Sequence, residues 1–196
     1  MLRPKDKDFN IIRNAFPHLE KDYEYIYIYN DDEYYKNDFY RLFFFSVFDH
    51  WLTEEEYIKA PLFLKDKLSE EDRKQCLYYH SCFNEFYTSL YKEYRVYLML
   101  YYNEASPRLL VPENIKEFLS YVQLGLEEYF PAQILIPEAG LILRSGFDLT
   151  HLAHIDNSDD KKFTKARDSF FYRVQQSNLF ILPSSTAKAI KNKNED

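Results

Sequence analysis

Glycine is nearly missing from this chain: its 196 residues carry 3, at Gly125, Gly140 and Gly146. Glycine-lined phosphate loops, which need several positions without a Cβ, are thereby excluded. Cysteine is as scarce. Cys76 and Cys82 lie six positions apart in a segment that reads as helix, so at about 100° per residue they leave on different faces and do not pair with each other. No run approaches the roughly 20 apolar residues of a membrane span, and the opening MLRPKDKDFNIIRN is charged throughout. These absences are read as those of a soluble, cytoplasmic chain. G-x-S-x-G, P-loop, H-E-x-x-H and C-x-x-C signatures are all lacking, and no cofactor or metal is expected.

Aromatic rings take the place of small residues. With 19 Tyr and 17 Phe, much of the buried volume must be built from rings. The formal net charge of -7 disfavours a surface made to neutralise phosphates. No nucleic acid and no membrane is expected as a partner, and a basic protein fits better.

Periodicity divides the chain. Tyr23, Tyr25, Tyr27 and Tyr29 alternate with Glu24, Ile26 and Ile28 as on a strand, ended by Asn30, Asp31 and Asp32. From Glu33 to Leu52, the spacing of Tyr35, Phe39, Leu42, Phe43 and Val47 predicts a helix. Thr53 and Glu56 form a capping box before a short helix that finishes by Pro61. Ser69 with Glu70, Glu71 and Asp72 opens the longest helix, predicted over residues 70–104 by apolar steps of three and four. Ser106-Pro107 breaks it, and a further helix is predicted from Pro112 to Phe130.

Beyond Pro131 the period changes. Strands are predicted at Ile134–Ile136, Leu141–Arg144 and Phe147–Ile155, the first two joined by a turn at Pro137-Glu138-Ala139-Gly140. A helix from Ser158 to about Ser177 and a strand at Leu179–Leu182 complete the chain, with a polar tail after residue 183. The element order predicts a single α+β domain over residues 1–183, a small, largely antiparallel sheet packed by several long helices.

Two constellations carry candidate chemistry. In GFDLTHLAHID, His151 and His154 with Asp148 and Asp156 suggest a small metal-dependent hydrolase or nuclease. A three-residue step brings two imidazoles to one face only on a helix, and the alternation here favours a strand, with a helical turn as the alternative. On a strand His151 faces the core, while His154 shares the opposite face with Asp148.

The second constellation is the acidic, tyrosine-rich stretch. Residues 1–60 hold 13 Asp or Glu against 8 Lys or Arg. Tyr23, Tyr25, Tyr27 and Tyr29 either pack under a helix or, with Asp31, Asp32, Glu33, Glu54 and Glu55, form a contact surface. Acids there would speed encounter with a basic protein while the rings anchor it. Base stacking on the tyrosines is disfavoured by Glu20, Asp22, Glu24 and the acids that follow, against Lys21 alone.

A small, acidic domain rich in Tyr and Phe and without a catalytic signature resembles, in general character, the immunity proteins that neutralise a cognate toxin in bacterial competition. The resemblance covers no aligned stretch and carries over no residue. It implies a non-enzymatic binding protein whose partner is a basic toxin.

Overall fold

The computed structural model describes residues 5–16, 40–64, 68–100, 108–128, 132–146 and 148–183. The predicted strand at Tyr23–Tyr29, the acids Asp31, Asp32 and Glu33, and the tail from residue 184 lie outside them. In chain order the elements are α1 (Asp6–Ala15), β1 (Tyr40–Ser46), α2 (Glu54–Lys59), α3 (Glu70–Glu93), β2 (Tyr97–Leu100), β3 (Arg108–Leu110) and α4 (Ile115–Leu126). There follow β4 (Ala132–Ile136), a 3-10 turn (Pro137–Ala139), β5 (Leu141–Ser145), β6 (Thr150–Asp156), α5 (Asp160–Gln176) and β7 (Phe180–Leu182).

The strands form one sheet in the order β3-β2-β4-β5-β6-β1-β7, with every neighbouring pair antiparallel. This corrects the expected several long helices on a small sheet: the sheet has seven strands, and of the five described helices only α3, with 24 residues, and α5, with 17, exceed 12.

Two segments expected to be helical are strands, for one physical reason. Tyr40–Ser46, inside the helix predicted over Glu33–Leu52, is β1, and Tyr97–Leu100, inside the helix predicted to residue 104, is β2. Both are unbroken apolar runs, LFFF and VYLML, in which every register of a 3.6-residue stripe finds a match. Such a run suits a strand buried on both faces, and all four residues of β2 are buried. Helix α3 stops where Tyr94 turns extended, at φ -121 and ψ 154.

The two faces of the sheet are covered differently. On one, Phe45, Leu98, Leu100, Ile134, Leu143, Ala153 and Ile155 meet Phe83, Phe86 and Leu90 of α3, Phe118 and Val122 of α4, and Phe170 and Val174 of α5. Each fully buried ring is worth about 1.5–3 kcal/mol against exposure, and edge-on contacts such as Phe45–Phe170, with centroids 5.3 Å apart, add to it. On the other face, Tyr97, Met99, Leu135 and Ile142 meet Ile12 and Phe16 from the α1 region.

Helix α1 was not anticipated from sequence, because its N-terminal half is charged. Asp8 fixes it. Its carboxylate accepts from the Lys5 N–H at 2.8 Å, the Arg95 guanidinium at 3.0 Å and the Tyr97 hydroxyl at 3.1 Å. Burial pushes the Asp8 pKa up, but these donors outweigh it and hold the group below its ordinary value.

The loops that place β6 depend on two glycines. Gly140, at φ 58, closes the turn between β4 and β5, where an added Cβ would sit 3.2 Å from the Cβ of Asp156. A Cβ on Gly146 would lie 2.5 Å from the Thr150 carbonyl oxygen, which accepts the Gly146 N–H at 2.9 Å. Asp148 and Leu149 then take left-handed conformations, at φ 58 and 53. For a leucine this is strained; its buried side chain and the 2.9 Å hydrogen bond from the Ser46 hydroxyl to its carbonyl hold it there.

Candidate functional site

Strand β6 carries His151 and His154 on opposite faces, as an odd step on a strand requires. His151 points to the three-helix side. Its ring stacks on Phe83 with centroids 4.2 Å apart, and its Nδ1 lies 2.7 Å from the Tyr87 hydroxyl. Its Nε2 is buried without a hydrogen-bond partner among the described residues. Burial pushes its pKa down to about 3, so the ring is neutral at ordinary pH. His154 faces the other side, buried, and is also pushed down to about 3, by burial first and then by the nearby charge of Arg144.

The proposed acids do not join them. Asp148 sits in the turn before the strand, not on it as expected, and Asp156 ends the strand, accepting the Ser158 N–H at 2.9 Å. The strand between them is about 20 Å long at the usual rise. Among the described residues, no three or more of His, Cys, Asp and Glu are placed to hold a metal ion. His151 is instead a packing residue, with one hydrogen bond inside a cage of rings.

Two polar clusters escaped the sequence analysis. Cys76 and His80, four apart on α3, bring Sγ and Nε2 to 3.7 Å, and the Gln123 amide lies 2.9 Å from His80 Nδ1 and 3.1 Å from Glu127. The spacing C-x-x-x-H, Cys76 to His80, was the available signal. Burial, and then the charge of Glu127, pushes the Cys76 thiol up to about 11, so it stays protonated and is no nucleophile. The second cluster pairs Glu128 with Asp148, whose N–H it accepts at 3.1 Å. Burial raises both carboxyls, and the charge of Asp148 adds to the rise at Glu128. Glu128 was hidden inside an overlong predicted helix.

Of the residues proposed for partner contact, the described ones are Glu54 and Glu55, both exposed on α2. No residue of this six-residue helix is buried, and it presents Tyr57 at 41% and Ile58 at 74% exposure. So short a helix has no stability of its own. Side chains around it supply what is missing. Thr53 donates its N–H and hydroxyl to Glu56, each at 2.8 Å, and its hydroxyl accepts the Glu56 N–H at 3.3 Å.

His50 lies between Asp49 at 2.6 Å and Glu56 at 3.0 Å. The Thr53 backbone and hydroxyl, and then His50, hold Glu56 down at about 2, while Asp49 and then Glu56 raise His50. Trp51 anchors the approach, donating its indole N–H to the Pro183 carbonyl at 2.8 Å and meeting Phe44 edge-on at 5.0 Å. Phe48 and Tyr79, 5.3 Å apart, join the same loop to α3, where Leu77 and Tyr78 are half exposed.

The fold and site thus define an antiparallel sheet with ring-packed helices, carrying a pinned, solvent-facing helix. No protein-family model matches the chain, nor does any curated protein sequence or solved structure. No helix of the described residues is long and apolar enough to cross a membrane.

Proposed function

We propose that this is a non-enzymatic binding protein of the immunity type, working in the cytoplasm to neutralise a basic toxin, with α2 as a contact. The observation that carries it is the exposure of Tyr57 and Ile58 on a helix that buries nothing, yet is held by a capping box, a histidine bridge and a tryptophan anchor. Apolar side chains kept in water cost stability at about 25 cal/mol per Å². Fixing them there is sensible when a partner covers them. Glu54 and Glu55 beside them supply charge that would steer a basic protein. Asp31, Asp32, Glu33 and Tyr23, Tyr25, Tyr27 and Tyr29 belong to the same proposal on sequence grounds.

Co-expression with the product of the neighbouring reading frame, followed by co-purification, tests it. A stable complex is expected, lost in Ile58→Asp and associating about tenfold more slowly in Glu54→Lys/Glu55→Lys at low salt. A complex whose rate ignores both salt and charge reversal would remove the steering role, and one indifferent to Ile58→Asp would remove α2 as the contact.

A further inference from the structure

Away from α2, a cleft of about 600 Å³ opens where α5 passes the turn between β4 and β5, a volume in the range that holds small molecules. Tyr94, Pro137, Ala139 and Ala166, each partly exposed, give it an apolar lining over the buried Leu90, Leu141 and Phe170. Charges of both signs border it. Lys162 and Lys165 come from α5, while Glu138 comes from the turn and Asp156 from the end of β6.

These four charges do not satisfy one another. No ion pair joins them, whereas Arg173 and Glu93, which also border the cleft, are paired to each other. Lys165 helps hold Glu93 below its ordinary pKa, after the Tyr94 hydroxyl and Arg173. Each acid is oriented by one backbone bond. Glu138 Oε2 accepts the Arg95 N–H at 3.3 Å and Asp156 Oδ1 accepts the Ser158 N–H at 2.9 Å, leaving one oxygen on each without a hydrogen bond among the described residues.

We infer that the cleft binds a zwitterionic small molecule with an apolar body, of dipeptide size. Its carboxylate would meet Lys162 and Lys165, its ammonium the remaining oxygens of Glu138 and Asp156, and its side chains the apolar lining. A ligand with one charge would be attracted by one wall only, and a wholly apolar one would gain nothing from the four charges. Arg173 already donates to Ser89, at 3.1 Å from both its carbonyl and hydroxyl oxygens, and so serves as a fixed wall.

Titration calorimetry with leucyl-leucine tests this, using N-acetyl-leucyl-leucine and leucyl-leucinamide as partners that lack one end charge. Leucyl-leucine is expected to bind, and each capped form at least about tenfold more weakly, or 1.4 kcal/mol. Lys162→Ala/Lys165→Ala should cost the free dipeptide about as much while restoring near-equality with the amide. Glu138→Gln should narrow the gap to the N-acetyl form. Both lysines are exposed, so an unchanged melting temperature will show these variants folded. No binding at about ten millimolar, equal binding of all three dipeptides, or indifference to the lysine pair would each overturn the inference.

Discussion

Helices α2 and α3 begin alike and end in opposite surroundings. Thr53 caps one and Ser69 the other, each accepting an N–H from the third helical residue, and each is followed by three acids. Yet α2 buries none of its residues and α3 buries seven. A cap sets where a helix starts, but the residues downstream decide what it is for. In α3 the stripe Phe83, Phe86, Tyr87, Leu90 enters the sheet-facing core. In α2 the apolar pair Tyr57 and Ile58 is too short a stripe to bury, and polar bonds at the surface replace packing.

Removing a ring from α3 should break that contrast most severely. Phe83→Ala deletes the stack on His151 and a ring in contact distance of Phe45, and should cost about 3–5 kcal/mol in urea unfolding. A loss below about 1 kcal/mol would show that the ring cage is not what holds α3.

Acid should attack both faces of β6 next. His151 and His154 titrate near 3 when folded and near 6.5 when unfolded, so the unfolded chain takes up protons that the folded one refuses. Their contribution to stability is whole above about pH 6.5 and is lost as the pH falls toward 3, each steepening the decline by about 1.4 kcal/mol per unit. His151→Leu should show a shallower decline over that window in denaturation at several pH values. An unchanged slope would mean that the buried imidazole is protonated after all.

Tyr87→Phe is a finer probe. It strips the His151 Nδ1 of its partner at 2.7 Å and should cost about 1–3 kcal/mol. Smaller still, Thr53→Ala should loosen α2 by about 1 kcal/mol, seen as faster hydrogen exchange at the Tyr57 and Ala60 amides. The global unfolding midpoint should stay in place, and a matching global loss would mean that α2 is part of the core after all. Ile58→Asp should change stability by no more than about 0.5 kcal/mol, so that any loss of partner binding reports on contact alone.

The same contrast explains what could be read without coordinates. Local chemistry was legible: the Thr53 and Ser69 caps, the strands after Pro131, and the turn at Gly140 all follow from residue types that act within a few positions. His151 facing the core followed from alternation on β6. Segments defined by distant partners were not. In LFFF and VYLML both periods fit, and only seats between neighbouring strands, such as Phe43 opposite Ala153 and Leu98 opposite Ile134, make them strands. Helix α1 depends on Arg95 and Tyr97, more than eighty residues away along the chain. At the candidate site, charge alone proposed Glu54 and Glu55, and Tyr57 and Ile58 entered only with the structure, because exposure of an apolar residue is not a property of its neighbours in sequence.

An open sheet made largely of Phe, Leu, Ile and Tyr carries a hazard, since its outer rims can recruit another chain by backbone pairing. Here β7, outermost on one side among the described residues, has only three residues. Pro183 follows β7 directly and offers no N–H to a newcomer. The long apolar segments β1, β2 and β4 sit inside, each with a strand on both flanks. On the β7 rim, strand order therefore places the least adhesive segment where polymerisation would begin.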